Sequence, residues 1–156
     1  MSERKRANVS VRPVGPADRR SGSSTSEGGR TSSQATILLV DDDVLLRSSC
    51  ASLLEADGHS VIQASDGLEA LSWLDSGTRP ELLVIDLEMP GMGGWELLAI
   101  LRADRRLADL PVVIISALDL SERARAVYPS LRKPVPPERF LATIDQMLEV
   151  ARPNFG

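Results

Sequence analysis

The chain has 156 residues, enough for one domain with a sizeable core. Hydrophobic residues make up 42% of it, yet no apolar run approaches the roughly 20 residues that a membrane helix needs, so membrane insertion is not expected. Charge divides the chain: residues 1–34 hold seven Lys or Arg against three Asp or Glu, and the acidic remainder brings the net charge to −4.

Residues 1–34 are poor in large apolar side chains and rich in Ser, Gly, Arg and Pro. Such a segment cannot bury enough surface to offset its conformational entropy, so it reads as a disordered basic tail. It lacks the apolar stretch of a secretory signal. Its arginines come without aromatics or a dense basic block, so no nucleic-acid partner is expected. The one cysteine, Cys50, has no internal disulfide partner and sits among apolar residues at helical spacing, which suggests a buried thiol in a reducing cytoplasm.

From residue 35 to 151, strand-like and helix-like segments alternate, and residues 152–156 form a short C-terminal tail. Thr36 to Val40 is a continuous apolar run of the kind found in strands covered on both faces. Leu46, Cys50, Leu53 and Leu54 follow at helical spacing, and Gly58 ends that helix. Ser60 to Ala64 is a short strand, after which Ser65 and Asp66 are candidate caps for a helix carrying Leu68, Leu71 and Leu74. His59 lies in the turn before that strand and is expected to be solvated. Leu82 to Asp86 is a third strand, and a Pro-Gly loop leads to a helix near Gly94 to Ala103 with Trp95, Leu98 and Leu101 as core contacts.

Val112 to Ser116 is the fourth strand, followed by a helix around Ser121 to Tyr128 and a very short strand, Ser130 to Arg132. Pro136 and Pro137 suit the first turn of a final helix whose Phe140, Leu141, Ile144, Met147 and Leu148 form one apolar face. Five strands alternating with five helices predict an α/β, doubly wound parallel sheet with right-handed crossovers.

Chemistry-bearing residues stand just past the strands. Asp41, Asp42 and Asp43 follow the first, Asp86 ends the third, Ser116 ends the fourth, and Lys133 follows the fifth. Ligands of doubly wound sheets bind outside the carboxyl ends of the strands, where the strand order reverses. If the order is 2-1-3-4-5, the first and third strands are neighbours there and Asp41, Asp42 and Asp86 converge. Crowded carboxylates repel one another unless a cation neutralises them, and a set of hard oxygen ligands suits Mg²⁺. Plainer readings stand beside these: Asp42 or Asp43 as a helix cap, Ser116 as a strand end, Lys133 as a surface charge.

The motifs Ile-Leu-Leu-Val-Asp-Asp-Asp at 37–43, Val-Ile-Asp-Leu-Glu-Met-Pro-Gly-Met-Gly-Gly at 84–94, Ile-Ile-Ser-Ala at 114–117 and Arg-Lys-Pro-Val at 132–135 resemble the receiver domain of two-component response regulators. The resemblance covers about residues 35–150. It implies a flavodoxin-like five-stranded fold in the order 2-1-3-4-5, with Asp86 as phosphoacceptor. It also implies Mg²⁺ held by Asp41, Asp42, Asp86 and the backbone carbonyl of Glu88, with Ser116 and Lys133 contacting the phosphoryl group. A cis Lys133-Pro134 bond is a further implication, as is a sensor histidine kinase or histidine phosphotransfer protein as donor.

The expectation is a stand-alone cytoplasmic regulator that catalyses only its own phosphorylation and dephosphorylation and switches its contacts with a downstream protein. The Glu88 side chain stands either near the metal and its water or exposed in a loop. Two rivals are a pseudo-receiver that binds without phosphorylation, and a dehalogenase-type phosphatase, which wants an aspartate where this chain has Glu88. The chain departs from the family in two places. Its fourth helix is expected to be short, and the position three before the lysine, where the family has Tyr or Phe, is Ser130. Tyr128, two residues earlier, lies about 6–7 Å further along an extended chain, so the aromatic switch is expected to be absent in its usual form.

Overall fold

A computed structural model describes residues 34–152. The expected tail over 1–34, apart from Gln34, and residues 153–156 lie outside the described residues. Five strands and five helices alternate: β1 (Thr36–Val40), α1 (Val44–Ala56), β2 (Ser60–Ala64), α2 (Gly67–Asp75), β3 (Leu82–Asp86), α3 (Gly94–Arg102), β4 (Val112–Ser116), α4 (Glu122–Val127), β5 (Ser130–Arg132) and α5 (Pro137–Ala151). All pairings are parallel, as the alternation predicts, in the order β2-β1-β3-β4-β5 that the resemblance implied. No helix among the described residues is long and apolar enough to cross a membrane.

The three inner strands β1, β3 and β4 are apolar at nearly every position because both sheet faces are covered. Side chains alternate between the faces with period two. Leu38, Val40, Leu83, Ile85, Val112 and Ile114 pack with Ala70 and Leu74 of α2 and Leu97, Leu98 and Leu101 of α3. On the other face Ile37, Leu39, Leu82, Val84, Val113 and Ile115 pack with Leu54 of α1 and Phe140, Ile144 and Leu148 of α5. Each fully buried Leu, Ile or Phe contributes about 1.5–3 kcal/mol of transfer free energy, so the central strands are firmly anchored.

Local chemistry fixes the helix starts. Asp43 caps α1 by accepting from the Leu46 N–H at 3.1 Å, and Asp66 caps α2 by accepting from the Glu69 N–H at 2.9 Å. Pro137 opens α5. Gly94 lets α3 close on the end of β3, since a Cβ there would lie 2.7 Å from the Asp86 carbonyl oxygen. Gly91, at φ +72, supplies the left-handed residue of the preceding Pro-Gly turn.

Three expectations change. Trp95 is 47% exposed because it sits on the first turn of α3, where the helix only begins to cross the sheet; the buried face is Gly94, Leu97, Leu98 and Leu101. Leu68 is likewise exposed, and Gly67, Ala70 and Leu74 make the buried face of α2. His59 is buried, not solvated. Its Nδ1 accepts the Ala35 N–H at 3.1 Å, which satisfies a buried donor at the foot of β1. In the neutral ring the proton is therefore on Nε2, which faces the Asp57 carboxylate at 3.8 Å.

Cys50 is half-buried against the α1–α5 side of the core, close to its expected place. Burial, aided by the Asp41 carboxylate, pushes its thiol up to about 11, so it is a poor nucleophile.

Candidate functional site

Strand register assembles the site. Val40 pairs with Ile85, Asp86 with Ile115, and Ser116 with Arg132, so the chain exits β1, β3, β4 and β5 side by side. Asp41, Asp86, Ser116 and Lys133 thus meet at one edge, and the Lys133 N–H donates to the Ser116 carbonyl at 2.9 Å. The Lys133-Pro134 bond is cis, as the resemblance implied.

The acidic half of this edge holds Asp41 and Asp86, both buried, and Asp42, which is exposed. One carboxylate oxygen from each lies within 4.8 Å of the others. Lys133 Nζ bridges the buried pair, at 3.2 Å from Asp86 and 3.5 Å from Asp41. The Glu88 N–H donates to the second Asp86 oxygen at 3.2 Å, and the Asp43 N–H to Asp41 at 2.9 Å. Burial pushes the Asp86 carboxyl up to about 6, and the Asp41 charge adds to this against the Glu88 N–H and the Lys133 ammonium. For Lys133, burial acts downward, but Asp41 and Asp86 outweigh it and hold the ammonium above its ordinary value. One lysine thus answers two of the three clustered carboxylates. A cluster of hard oxygens short of positive charge fits a small divalent cation.

The other half is built from donors. Ser116, buried at the end of β4, donates from Oγ to one oxygen of the Glu88 carboxylate in a short hydrogen bond, and the Ala117 N–H donates to the other at 3.1 Å. Ser116 Oγ in turn accepts the Leu118 N–H at 3.0 Å. Glu88 is exposed in its loop, one of the two positions expected for it, and its carboxylate reaches across the edge to these two donors.

The family description "Response regulator receiver domain" matches residues 37–145. This chain belongs to that family. Response regulator MprA of Mycobacterium avium is 38% identical over 123 residues, covering 76% of this chain and 53% of MprA. The chain thus spans about half the length of the curated relatives it matches. Among solved structures, the receiver domain of the Francisella response regulator 1452 superposes with a TM-score of 0.67 at 28% identity, covering 76% of this chain and 99% of that one. A CheY-like receiver domain protein from Methanospirillum hungatei gives 0.67 at 27% identity, covering 76% and 97%.

Within the receiver, sequence reasoning missed two contacts. Arg47 Nη1 donates to the Asp41 carbonyl at 2.7 Å and braces the β1–α1 loop from α1. Glu88 bridges to Ser116 and Ala117; the signal for it was a long carboxylate in a loop that the strand order sets beside a hydroxyl. A second cluster, Asp57, His59 and Asp145, also brings ligand atoms within 4.8 Å. There the His59 Nε2 carries the ring's proton, so it is a donor and not a metal ligand. A groove of about 430 Å³ near the start of β3 and β4 includes Arg106, which pairs with Asp104, and Arg152, which pairs with Glu81.

Proposed function

We propose that this receiver accepts a phosphoryl group on Asp86 from a sensor histidine kinase or a histidine phosphotransfer protein, with Mg²⁺ as cofactor. The observation that carries it is the meeting of Asp86 with Asp41, Asp42, Ser116 and Lys133 at one strand edge. An Asp86 oxygen attacks the phosphorus in line. The P–N bond of the phosphohistidine breaks with its electron pair going to the imidazole nitrogen, which the donor protein reprotonates from solvent. Lys133 holds Asp86 in place and, as a compact cation beside the transferring oxygens, follows the charge as it moves outward.

Asp41, Asp42, Asp86 and the Glu88 carbonyl would hold the ion. Bound there, Mg²⁺ supplies charge neutralisation for the approaching anion and for the transferring group. Ser116 Oγ–H then donates to a phosphoryl oxygen. The protein catalyses only its own phosphorylation and hydrolysis, and the modified edge changes its affinity for a downstream protein. The reading places the receiver in the cytoplasm, where kinases draw on ATP. It is confined to the receiver unit, since the MprA relatives are about twice as long.

A dehalogenase-type phosphatase is disfavoured, because Ser116 and Ala117 engage the Glu88 carboxylate that would have to serve as its acid. Incubation with acetyl phosphate and Mg²⁺, followed by intact mass, tests the proposal. One hydroxylamine-labile phosphoryl adduct is expected. No adduct in the presence of Mg²⁺ refutes it and leaves a phosphorylation-independent binding module.

A further inference from the structure

Ser116 Oγ–H and Ala117 N–H point together at one carboxylate, each at its own oxygen. Two donors converging from a strand end and the residue after it form an anion cradle, and here the anion comes from the chain itself. The Ser116 side of the cradle is held before any phosphoryl group arrives, because Ser116 is 1% exposed and its Oγ also accepts the Leu118 N–H. Glu88 is two residues from Asp86, and its own N–H is bonded to Asp86. Its backbone is thus tied to the reacting carboxylate, while its side chain spans to the next strand.

We propose that the Glu88 carboxylate is a built-in occupant of the Ser116–Ala117 cradle, standing where phosphoryl oxygens would bind, and that phosphorylation must displace it. The inference rests on the phosphorylation of Asp86 proposed above and adds a gate to it. In the resting protein Glu88 holds the β4–α4 loop in an anion-bound arrangement. When Asp86 is phosphorylated the new oxygens take Ser116 Oγ–H and Ala117 N–H, and the carboxylate of Glu88, itself an exposed residue, loses both donors. The change presented to a partner is then a released carboxylate on the β3–α3 loop more than a movement of β4. Displacement costs charge-assisted hydrogen bonds, which are the stronger kind, so it slows labelling.

Reach and charge are separated by substitution. Glu88→Ala removes both, Glu88→Gln removes the charge, and Glu88→Asp keeps the charge but is one methylene too short to span the gap. Labelling is followed by intact mass with acetyl phosphate, whose P–O bond to the acyl oxygen breaks as Asp86 Oδ–P forms and acetate leaves with the electron pair. Glu88→Asp and Glu88→Ala are both expected to label about threefold to tenfold faster than the unaltered protein, less than the full worth of the lost bonds because the incoming phosphoryl oxygens take over the same two donors. In the unphosphorylated protein the Ala117 amide should exchange with solvent faster in both variants, and Glu88→Gln should fall between.

If Glu88→Asp labels at the unaltered rate while Glu88→Ala and Glu88→Gln are faster, simple charge repulsion is at work and the gate is wrong. An Ala117 amide equally exposed to exchange in every variant also overturns it. If no protein labels at all, the phosphorylation of Asp86 itself fails and the gate fails with it. Labelling with no effect of Glu88→Asp removes the gate alone.

Discussion

The two halves of the strand edge are opposites. On the β1–β3 side, three carboxylates cluster, only two of them paired with one ammonium, and the site is short of positive charge; on the β4 side, a hydroxyl and an amide are satisfied by a borrowed carboxylate. Each half is incomplete in a way that the other's ligand would repair. A divalent cation would complete the first and a phosphoryl anion the second, the cation being bound before the anion approaches. The resting protein therefore looks like a site balanced from within, with Lys133 and Glu88 as its temporary counter-groups.

The largest expected effect comes from breaking the acidic half at its reacting atom. Asp86→Asn is nearly isosteric but removes the carboxylate nucleophile. Labelling by acetyl phosphate should fall to background while the circular dichroism spectrum stays unchanged. Labelling of the variant at the original rate would move the acceptor elsewhere.

A smaller but still large effect is expected at Asp42, the exposed member of the cluster. Asp42→Ala should weaken Mg²⁺ binding by about 10–100-fold, the loss typical when a group beside a metal is removed. Labelling should slow in parallel, with the difference narrowing at saturating Mg²⁺. Trp95, partly exposed on the first turn of α3 behind the β3–α3 loop, offers a fluorescence signal for the titration. Metal binding and labelling that do not move together would mean the two roles belong to different groups.

How much of this was legible without coordinates differs by region. The inner strands announced themselves because burial on both faces requires unbroken apolar runs, and strand order then set Asp41, Asp86, Ser116 and Lys133 in a row. Helix caps were readable to within a neighbour, as Asp42 or Asp43 and Ser65 or Asp66, because they depend on local sequence, and the structure uses Asp43 and Asp66. The fold expected from the motifs matches the one found, down to strand order and the cis Lys133-Pro134 bond. What was not legible depends on contacts between loops and edges. His59 is buried because the N–H of Ala35, 24 residues earlier, needs an acceptor. Trp95 shares helical spacing with Leu98, and only the point where α3 meets the sheet decides that it stays half outside. The Glu88 carboxylate could be placed only once the distance from its loop to β4 was known.

The acidic half also carries a pH signature in the metal-free protein. Asp86 has an ordinary value of 3.8 and is raised to about 6 in the fold. Between those values the folded state holds more protons than the unfolded one, so this group makes the protein less stable as pH rises from about 4 to 6. Above pH 6 the penalty is complete. Asp86→Asn should therefore stabilise the metal-free protein by about 1–3 kcal/mol at pH 7.5, with the gain shrinking toward zero near pH 4. Mg²⁺ should stabilise the unaltered protein and leave the variant less affected. Urea melts at several pH values with chelator present give the comparison, and a destabilising Asp86→Asn at pH 7.5 would show that Lys133 already cancels the crowding.

The smallest effect is expected at Tyr128, and it tests whether the balance between the two halves extends beyond the loops. The position of the family's aromatic is Ser130, and Tyr128 sits in extended backbone just after α4, outside β5. Its ring packs at 6.3 Å from the Trp95 ring, Arg102 lies over its face at 5.1 Å, and the Arg102 Nε–H donates to its hydroxyl at 3.2 Å. These contacts hold the ring on the α3 side, and α3 is anchored to the sheet by Leu97, Leu98 and Leu101. An inward swing would have to give up all three. Because the exchange of Glu88 for a phosphoryl group refills the same cradle, little force is passed to this ring. Tyr128→Phe should cost no more than about 1 kcal/mol, the value of one exposed hydrogen bond, and should leave the labelling rate unchanged. Tyr128 is the only tyrosine of the chain, so incorporation of 3-fluorotyrosine gives a single ¹⁹F line. That line should stay in place when beryllofluoride and Mg²⁺ are added. A large shift of the line, lost in Ser116→Ala, would show that the aromatic follows the hydroxyl after all, in a displaced form of the family's switch.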